Sequence, residues 1–434
     1  MESVFLPVLI FLLVFIAVTF ELANKTAVVL LGVSLLIILN IIEEHSVVEK
    51  IDFETIILLL GMMTLVAIIK KTGFFNFVSI KIAELTKGNP LKILLLFSSI
   101  TAFLSAFLDN VTTVLIIIPI IIQLTRGMGL DPKIYVISQA IISNIGGTTT
   151  LVGDPPNIII GSKVGLTFNQ FISNLIIPVI ITFAATLLYI WFTNRKKFQP
   201  IDTNLTKIFT FQLLLEEVRF GFLNTKLDKV FIAKALGCLG IVIVLFVTQT
   251  FTHLTPGLIA ISGAMVLFVI SKVSVEEIFE EVEWSTLLFF AGLFILAGTL
   301  EEYGVLEWIA HNVFLKAGKN PYVIMLIVLW LSGIASGFLD NIPFTITMIP
   351  IVHLLSESIA IPHNILWWSL SLGACLGGNF TVIGASANIV SIGIAKRHKV
   401  NISFLEFMKS GAVIALISLV ISSVYLTIYL WLVM

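Results

Sequence analysis

The chain has 434 residues, 58% of them hydrophobic and only 12% charged, and its mean hydropathy is +1.10. A soluble domain of that size cannot hide so much apolar surface, so the composition predicts a polytopic helical membrane protein. A net charge of −1 leaves no electrostatic footprint for nucleic acid, and two cysteines, Cys238 and Cys375, exclude a disulfide framework or a cysteine metal site.

Taken in chain order, apolar runs predict spans at 5–20, 27–42 and 56–69. The first has Glu2 and no basic residue ahead of it, and no small-x-small cleavage site after it. It therefore reads as a retained span rather than a signal peptide. Two segments follow, 93–108 and 111–124, meeting at Asp109-Asn110. Each is shorter than the ~20 residues of a comfortable crossing, which predicts a re-entrant pair that enters and leaves on one face. The run 134–160 is interrupted at Gly146-Gly147 and at Gly153-Asp154-Pro155-Pro156, and 171–192 is a full span. The polar stretch 194–228 is read as a solvated linker, within which Leu213-Leu214-Leu215-Glu216-Glu217-Val218 has the pattern of a helix. Further spans are predicted at 230–247, 258–270, 285–300 and 412–432.

The second half repeats the first at a constant shift of 231 positions. Ser105-Ala106-Phe107-Leu108-Asp109-Asn110 recurs as Ser336-Gly337-Phe338-Leu339-Asp340-Asn341. The same shift carries Thr55 onto Thr286, Gly73 onto Gly304, Pro119 onto Pro350, Gly146-Gly147 onto Gly377-Gly378 and Asn157 onto Asn388. Each half, 1–193 and 229–434, is thus expected to hold five spans, one of them a broken helix, plus one re-entrant hairpin. An odd number of crossings sets the halves in inverted topology, the arrangement of many secondary transporters. With that topology 21 of the 25 Lys and Arg fall on the linker side, leaving Lys50, Lys163, Lys316 and Lys319 opposite. The positive-inside rule makes the linker cytoplasmic and puts both termini outside a cell membrane.

Three acids fall at the predicted breaks, Asp109, Asp154 and Asp340. A charge at bilayer depth costs ~2.5–3.5 kcal/mol or more, so such acids are functional candidates, with helix capping as the alternative for the two tip acids and turn formation for Asp154. Oxygen-bearing side chains gather around them. Asn110, Thr112 and Thr113 lie at the first tip, and Asn341, Thr345 and Thr347 at the second. Gly147, Thr148, Thr149, Thr150 and Asn157 line the first break, and Gly378, Asn379, Thr381, Ser386 and Asn388 the second. Asn110, Asn157, Asn341 and Asn388 are candidate ligands for a coupling Na+, with H+ as the alternative coupling ion and no other cofactor expected. No Lys or Arg is expected inside the membrane, no histidine relay is visible, and Cys375 reads as a small core residue. There is no P-loop for ATP hydrolysis and no nucleophile-and-base pair for an intramembrane enzyme.

These segments resemble the ion transporter superfamily, and within it the CitM-like ArsB/NhaD permease group. The residues that carry the likeness are 103–113, Asn144-Ile145-Gly146-Gly147, Gly153-Asp154-Pro155-Pro156-Asn157, Asp340-Asn341-Ile342-Pro343-Phe344-Thr345, 373–379 and 383–388. The resemblance implies an inverted-repeat fold with two re-entrant hairpins, a homodimer and an elevator motion. It leaves the cargo open among sodium/proton antiport, arsenite or antimonite efflux, and organic- or inorganic-anion carriage. An acid precedes the tip Asn in both hairpins, as in the sodium/proton antiporters of the group, and the Ser-Asn-Thr tips of the dicarboxylate branch are absent. Three buried acids and no buried base make sodium/proton antiport the first expectation, arsenite export against protons the second. A passive channel would show flux with no dependence on a coupling gradient.

Overall fold

The computed structural model describes residues 2–20, 22–198, 228–318, 320–359 and 364–434. Lys319 and the expected linker helix at 213–218 lie outside them. Among the described residues the chain is helical, with no strand.

The first half runs α1 (Glu2–Thr19), α2 (Lys25–Ile38), a short α3 (Glu44–Glu49), α4 (Phe53–Lys71) and α5 (Phe74–Thr86). A hairpin follows, α6 (Pro90–Phe107) and α7 (Asn110–Gly127), then a broken helix, α8 (Pro132–Gly147) and α9 (Pro155–Val164), then α10 (Phe168–Asn194). The second half runs α11 (Lys229–Val247), α12 (Pro256–Ser271), α13 (Val275–Glu281), α14 (Trp284–Glu302) and α15 (Val305–Ile309). It continues with the hairpin α16 (Pro321–Phe338) and α17 (Asn341–Ser358), the broken helix α18 (Ile365–Gly377) and α19 (Ser386–Arg397), and α20 (Phe404–Val433). Moving α4, α6 and α7 by 231 positions lands on α14, α16 and α17 at both ends. Eight helices among the described residues are long and apolar enough to cross a membrane by length and composition, the hairpin arms α6, α7 and α16 among them.

The hairpin arms are longer than the apolar runs suggest. Asn89 Oδ1 accepts from the amides of Leu91 and Lys92 at 3.0 and 3.1 Å, so the helix begins at Pro90. A capped proline start fixes the first turn without needing apolar residues. Asn320 and Pro321 do the same for α16. Length therefore does not distinguish these arms from crossings. Tyr135 donates to Pro90 O at 3.2 Å and Ser105 to Ser143 O at 2.6 Å, so α6 climbs beside α8 and the tip at Asp109 stops next to the break after Gly147.

The helices form two groups. In one, α2 packs on α14 and α4 on α12; in the other, hairpins and broken helices pack together with α10 and α20. Ion pairs reveal helix directions in the first group. Lys50, ahead of α4, pairs with Glu302 at the end of α14 at 2.6 Å, while Lys70 and Lys71 at the end of α4 meet Glu281 and Glu277 ahead of α14. Repeat mates α4 and α14 therefore run antiparallel. Such exposed pairs stabilise little, roughly 0–1 kcal/mol each, but their placement is unambiguous.

The breaks are held against the hairpins by glycine. A Cβ on Gly146 would stand 2.4 Å from Ala102 O, and one on Gly377 would stand 2.2 Å from Gly333 O, the same contact 231 positions later. Neither α6 nor α16 can lie so close to its broken helix with any larger residue there.

Candidate ion and substrate site

Asp109 caps α7. Its Oδ1 accepts from Thr112 N at 2.8 Å, its Oδ2 from Thr112 Oγ1 at 2.5 Å, and Thr113 Oγ1 donates to its carbonyl at 3.0 Å. Asp340 caps α17 through Ile342 N at 3.2 Å, but Pro343 replaces Thr112 and brings no hydroxyl. Its Oδ2 instead accepts from Lys25 Nζ at 2.9 Å. The sequence, from which no Lys or Arg is expected inside the membrane, gives no hint that an ammonium reaches this tip. Lys25 begins α2 and its long flexible stem carries the ammonium to the tip, a reach that position in the sequence does not disclose.

At the breaks, Asn157 and Asn388 act as braces. Asn157 Nδ2 donates to the carbonyls of Thr148 and Thr150 at 3.0 and 2.9 Å; Asn388 Nδ2 donates to those of Gly378 and Thr381 at 3.0 Å each. These bonds satisfy carbonyls that the interrupted ladder leaves open. Thr150 Oγ1 donates to Ala106 O, and Thr381 Oγ1 to Gly337 O at 2.6 Å, which ties each break to its hairpin. Asn157 Oδ1 accepts from Ser371 Oγ at 2.6 Å and lies 3.6 Å from the Cys375 sulfur, so Cys375 is buried within reach of the site.

The two breaks are joined by a chain of amides. Asn110 Nδ2 donates to Asn144 Oδ1 at 3.0 Å and to Asp154 Oδ1 at 3.3 Å; Asn144 Nδ2 donates to Asn379 Oδ1 at 2.9 Å and to Asn388 Oδ1 at 3.1 Å. All six of Asn110, Asn144, Asp154, Asn157, Asn379 and Asn388 are buried. Two atoms of this cluster have no hydrogen-bond partner, the acceptor Asp154 Oδ2 and the donor Asn379 Nδ2. Buried polar groups are ordinarily paired, at a cost of about 1–3 kcal/mol where they are not, which makes these two atoms candidates for contact with a bound water, ion or substrate.

Of the other expected residues, Gly147 and Gly378 are pressed against Gly153 and Gly384, and Thr345 donates to Asn341 O at 2.7 Å. Thr149 and Ser386 are half-buried at the ends of the breaks. Four helices, α7, α9, α17 and α19, begin at this cluster, so four partly positive ends meet three carboxylates. Neither α9, which follows Asp154, nor α19, which follows Ala385, has a side-chain cap on its first turn. Residue reasoning missed Asn144 and Lys25 as members. Asn144 stands opposite Cys375 in the repeat register and Lys25 opposite Pro256, so symmetry draws attention away from both.

The helix breaks and hairpin tips of both halves converge on this buried polar cluster. Fold and site are those of a multi-pass membrane carrier. The chain belongs to the citrate transporter family, which matches residues 12–373. It is 37% identical to an uncharacterized transporter of Mycobacterium tuberculosis over 428 residues, covering 96% of this chain and 97% of that one. The 46 kDa membrane protein of Mycobacterium leprae is 36% identical, with 97% of each chain covered. The P protein of Homo sapiens is 35% identical over 95% of this chain, which spans 58% of that protein's length.

Proposed function

We propose that this carrier is a secondary active transporter in which a small cation is bound within the cluster of Asp154, Asp109 and Asp340 and exchanged for protons, with sodium as the cation. The observation that carries this reading is the fully buried Asp154 Oδ2, which has no hydrogen-bond partner and lies at the meeting point of two tips and two breaks. A dehydrated cation is the natural partner for such an oxygen, and neutral oxygens of Asn110, Asn341 and the threonines are close by in the fold to complete its shell. The likeness of both hairpin tips to the sodium/proton antiporters of the ArsB/NhaD group points the same way. The antiparallel run of α4 and α14 supports inverted halves, and the sparse packing between the two helix groups supports an elevator motion, in a homodimer, with the linker cytoplasmic.

A second reading has its own support. Asn379 Nδ2 is a donor without an acceptor, α19 presents an uncapped N-terminus beside it, and the family takes its description from citrate. A carboxylate anion held there with a cation at Asp154 would balance the charge that three acids impose. Purified protein in liposomes separates the readings. Sodium-dependent collapse of an imposed pH gradient supports the first; citrate uptake that requires a co-ion gradient supports the second. Rescue of arsenite-sensitive cells in place of either would move the cargo to a neutral oxyacid.

A further inference from the structure

The two hairpin tips carry the same acid but neutralise it differently. Asp109 is served by its own hairpin, through Thr112. Asp340 has proline at the corresponding place and takes an ammonium from α2, in the other group of helices, 315 positions away in sequence. The pair is inside the protein, with the Asp340 side chain 3% exposed and that of Lys25 25% exposed. α2 is itself anchored on α14 where Thr26 Oγ1 donates to Ser285 O at 2.8 Å. The neighbouring acid, Glu283, is engaged by Thr286 Oγ1 at 2.9 Å. The ion pair therefore bridges the two helix groups at one end of α2. A cleft of about 570 Å³ separates them toward the other end, lined by Lys50, Phe294 and Glu302 on one side and Lys163, Ile349 and Trp367 on the other.

We infer that Lys25 is a tethered counter-cation for the second hairpin tip, one that competes with the transported cation for Asp340. In this state it occupies the carboxylate and ties hairpin α16–α17 to α2. The tip leaves α2 only when a cargo cation replaces the ammonium, because an unpaired carboxylate at that depth is costly. The transporter would thus resist moving empty. Repeat symmetry offers no second such lysine, since Pro256 occupies the matching position. The inference rests on the cation-transport reading above and refines it, assigning Lys25 a role in affinity.

Two measurements on purified full-length protein test it. The first is a melting-temperature cycle with Lys25→Gln, Asp340→Asn and the double variant. Lys25→Gln leaves the buried Asp340 carboxylate without its ammonium and Asp340→Asn removes the ion pair, so both should lower the melting temperature and the double variant should recover much of the loss seen in Lys25→Gln. Additive effects would overturn the inference whatever the second measurement shows. The second is equilibrium binding of radioactive sodium. Lys25→Gln should lower the half-saturating sodium concentration by roughly tenfold, as removal of a competing charge at contact distance predicts, and Lys25→Arg should restore weaker binding. The tightening should vanish in the double variant. Sodium affinity unchanged in Lys25→Gln would overturn the competition. If the pair couples in the melting cycle but no variant binds sodium saturably, Lys25 stands as counter-cation of Asp340 and the sodium reading falls.

Discussion

The side-chain amide of Asn144 donates to Oδ1 of Asn388 at 3.1 Å, tying the break of the first half to the break of the second across 244 positions. The same nitrogen reaches Asn379, and the oxygen of Asn144 receives Asn110. One residue thus holds three other polar side chains in a buried place. Asn144→Leu, close in volume, removes every one of these bonds and leaves at least two amide groups unpaired. The cost should be about 2–5 kcal/mol in stability, at about 1–3 kcal/mol for each orphaned group. Thermal unfolding in detergent measures it. Asn388→Asp, which keeps the acceptor but takes a donor from the brace, should cost less than Asn144→Leu; the opposite order would mean that the brace, not the bridge, holds the site.

Much of the frame was legible in the sequence, because helix breaks and tips are written in glycine, proline, asparagine and aspartate, and each signal appears twice. The constant shift predicted which elements correspond, and the helix ends of α4, α6 and α7 obey it. The bridge was not legible. Asn144 has Cys375 as its mate, so a search for repeated polar residues passes over it, and its partners meet only when both halves fold together. Lys25 was hidden differently: at the end of a span it reads as one more cytoplasmic charge. The arms outrun their apolar stretches because Asn89-Pro90 starts a helix through capping, not through hydrophobicity.

Gly146 and Gly377 should be intolerant of even one methyl group. The blocking atoms are backbone oxygens of Ala102 and Gly333, which would lie 2.4 and 2.2 Å from an added Cβ, and backbone cannot swing aside as a side chain does. Gly146→Ala and Gly377→Ala should each lower stability by about 1–3 kcal/mol or more, and part the hairpin from its broken helix. Gly237→Ala is the control: nothing lies within 4 Å of its Cβ position, and alanine in that helix should be neutral or stabilise by about 0.4–1 kcal/mol. Equal losses at all three would show that the close approach is absent in the membrane.

Orientation follows from the distribution of lysine and arginine. In a background lacking Cys238 and Cys375, Lys196→Cys should be protected from impermeant thiol reagents in intact cells, and Lys316→Cys should react. Lys196 follows α10 on the same face as Asp131 and Lys133, near the base of the first hairpin, whereas Lys316 precedes the second. The reverse labelling would invert the assignment, and labelling at both would overturn the crossing count.

The tip acids should differ in their response to neutralisation. Asp109→Asn keeps an acceptor for Thr112 and leaves no cation stranded, so the folded protein should persist with coupled transport lost. Asp340→Asn removes the ion pair with Lys25 that ties the second tip to α2, so it should lose transport and also melt earlier than Asp109→Asn. Full coupled transport in both variants, measured in proteoliposomes, would reduce these acids to helix caps.

The most direct test concerns Asp154, whose buried Oδ2 has no hydrogen-bond partner among the described residues. Liposomes containing the protein are loaded at acid pH with a pH-sensitive dye, diluted into neutral choline buffer, and then given sodium. The wild type should discharge the proton gradient on addition of sodium and not on addition of more choline, and Asp154→Asn should show no sodium response while inserting at the same level. A sodium response that survives intact in Asp154→Asn would contradict the assignment of the cation to this carboxylate.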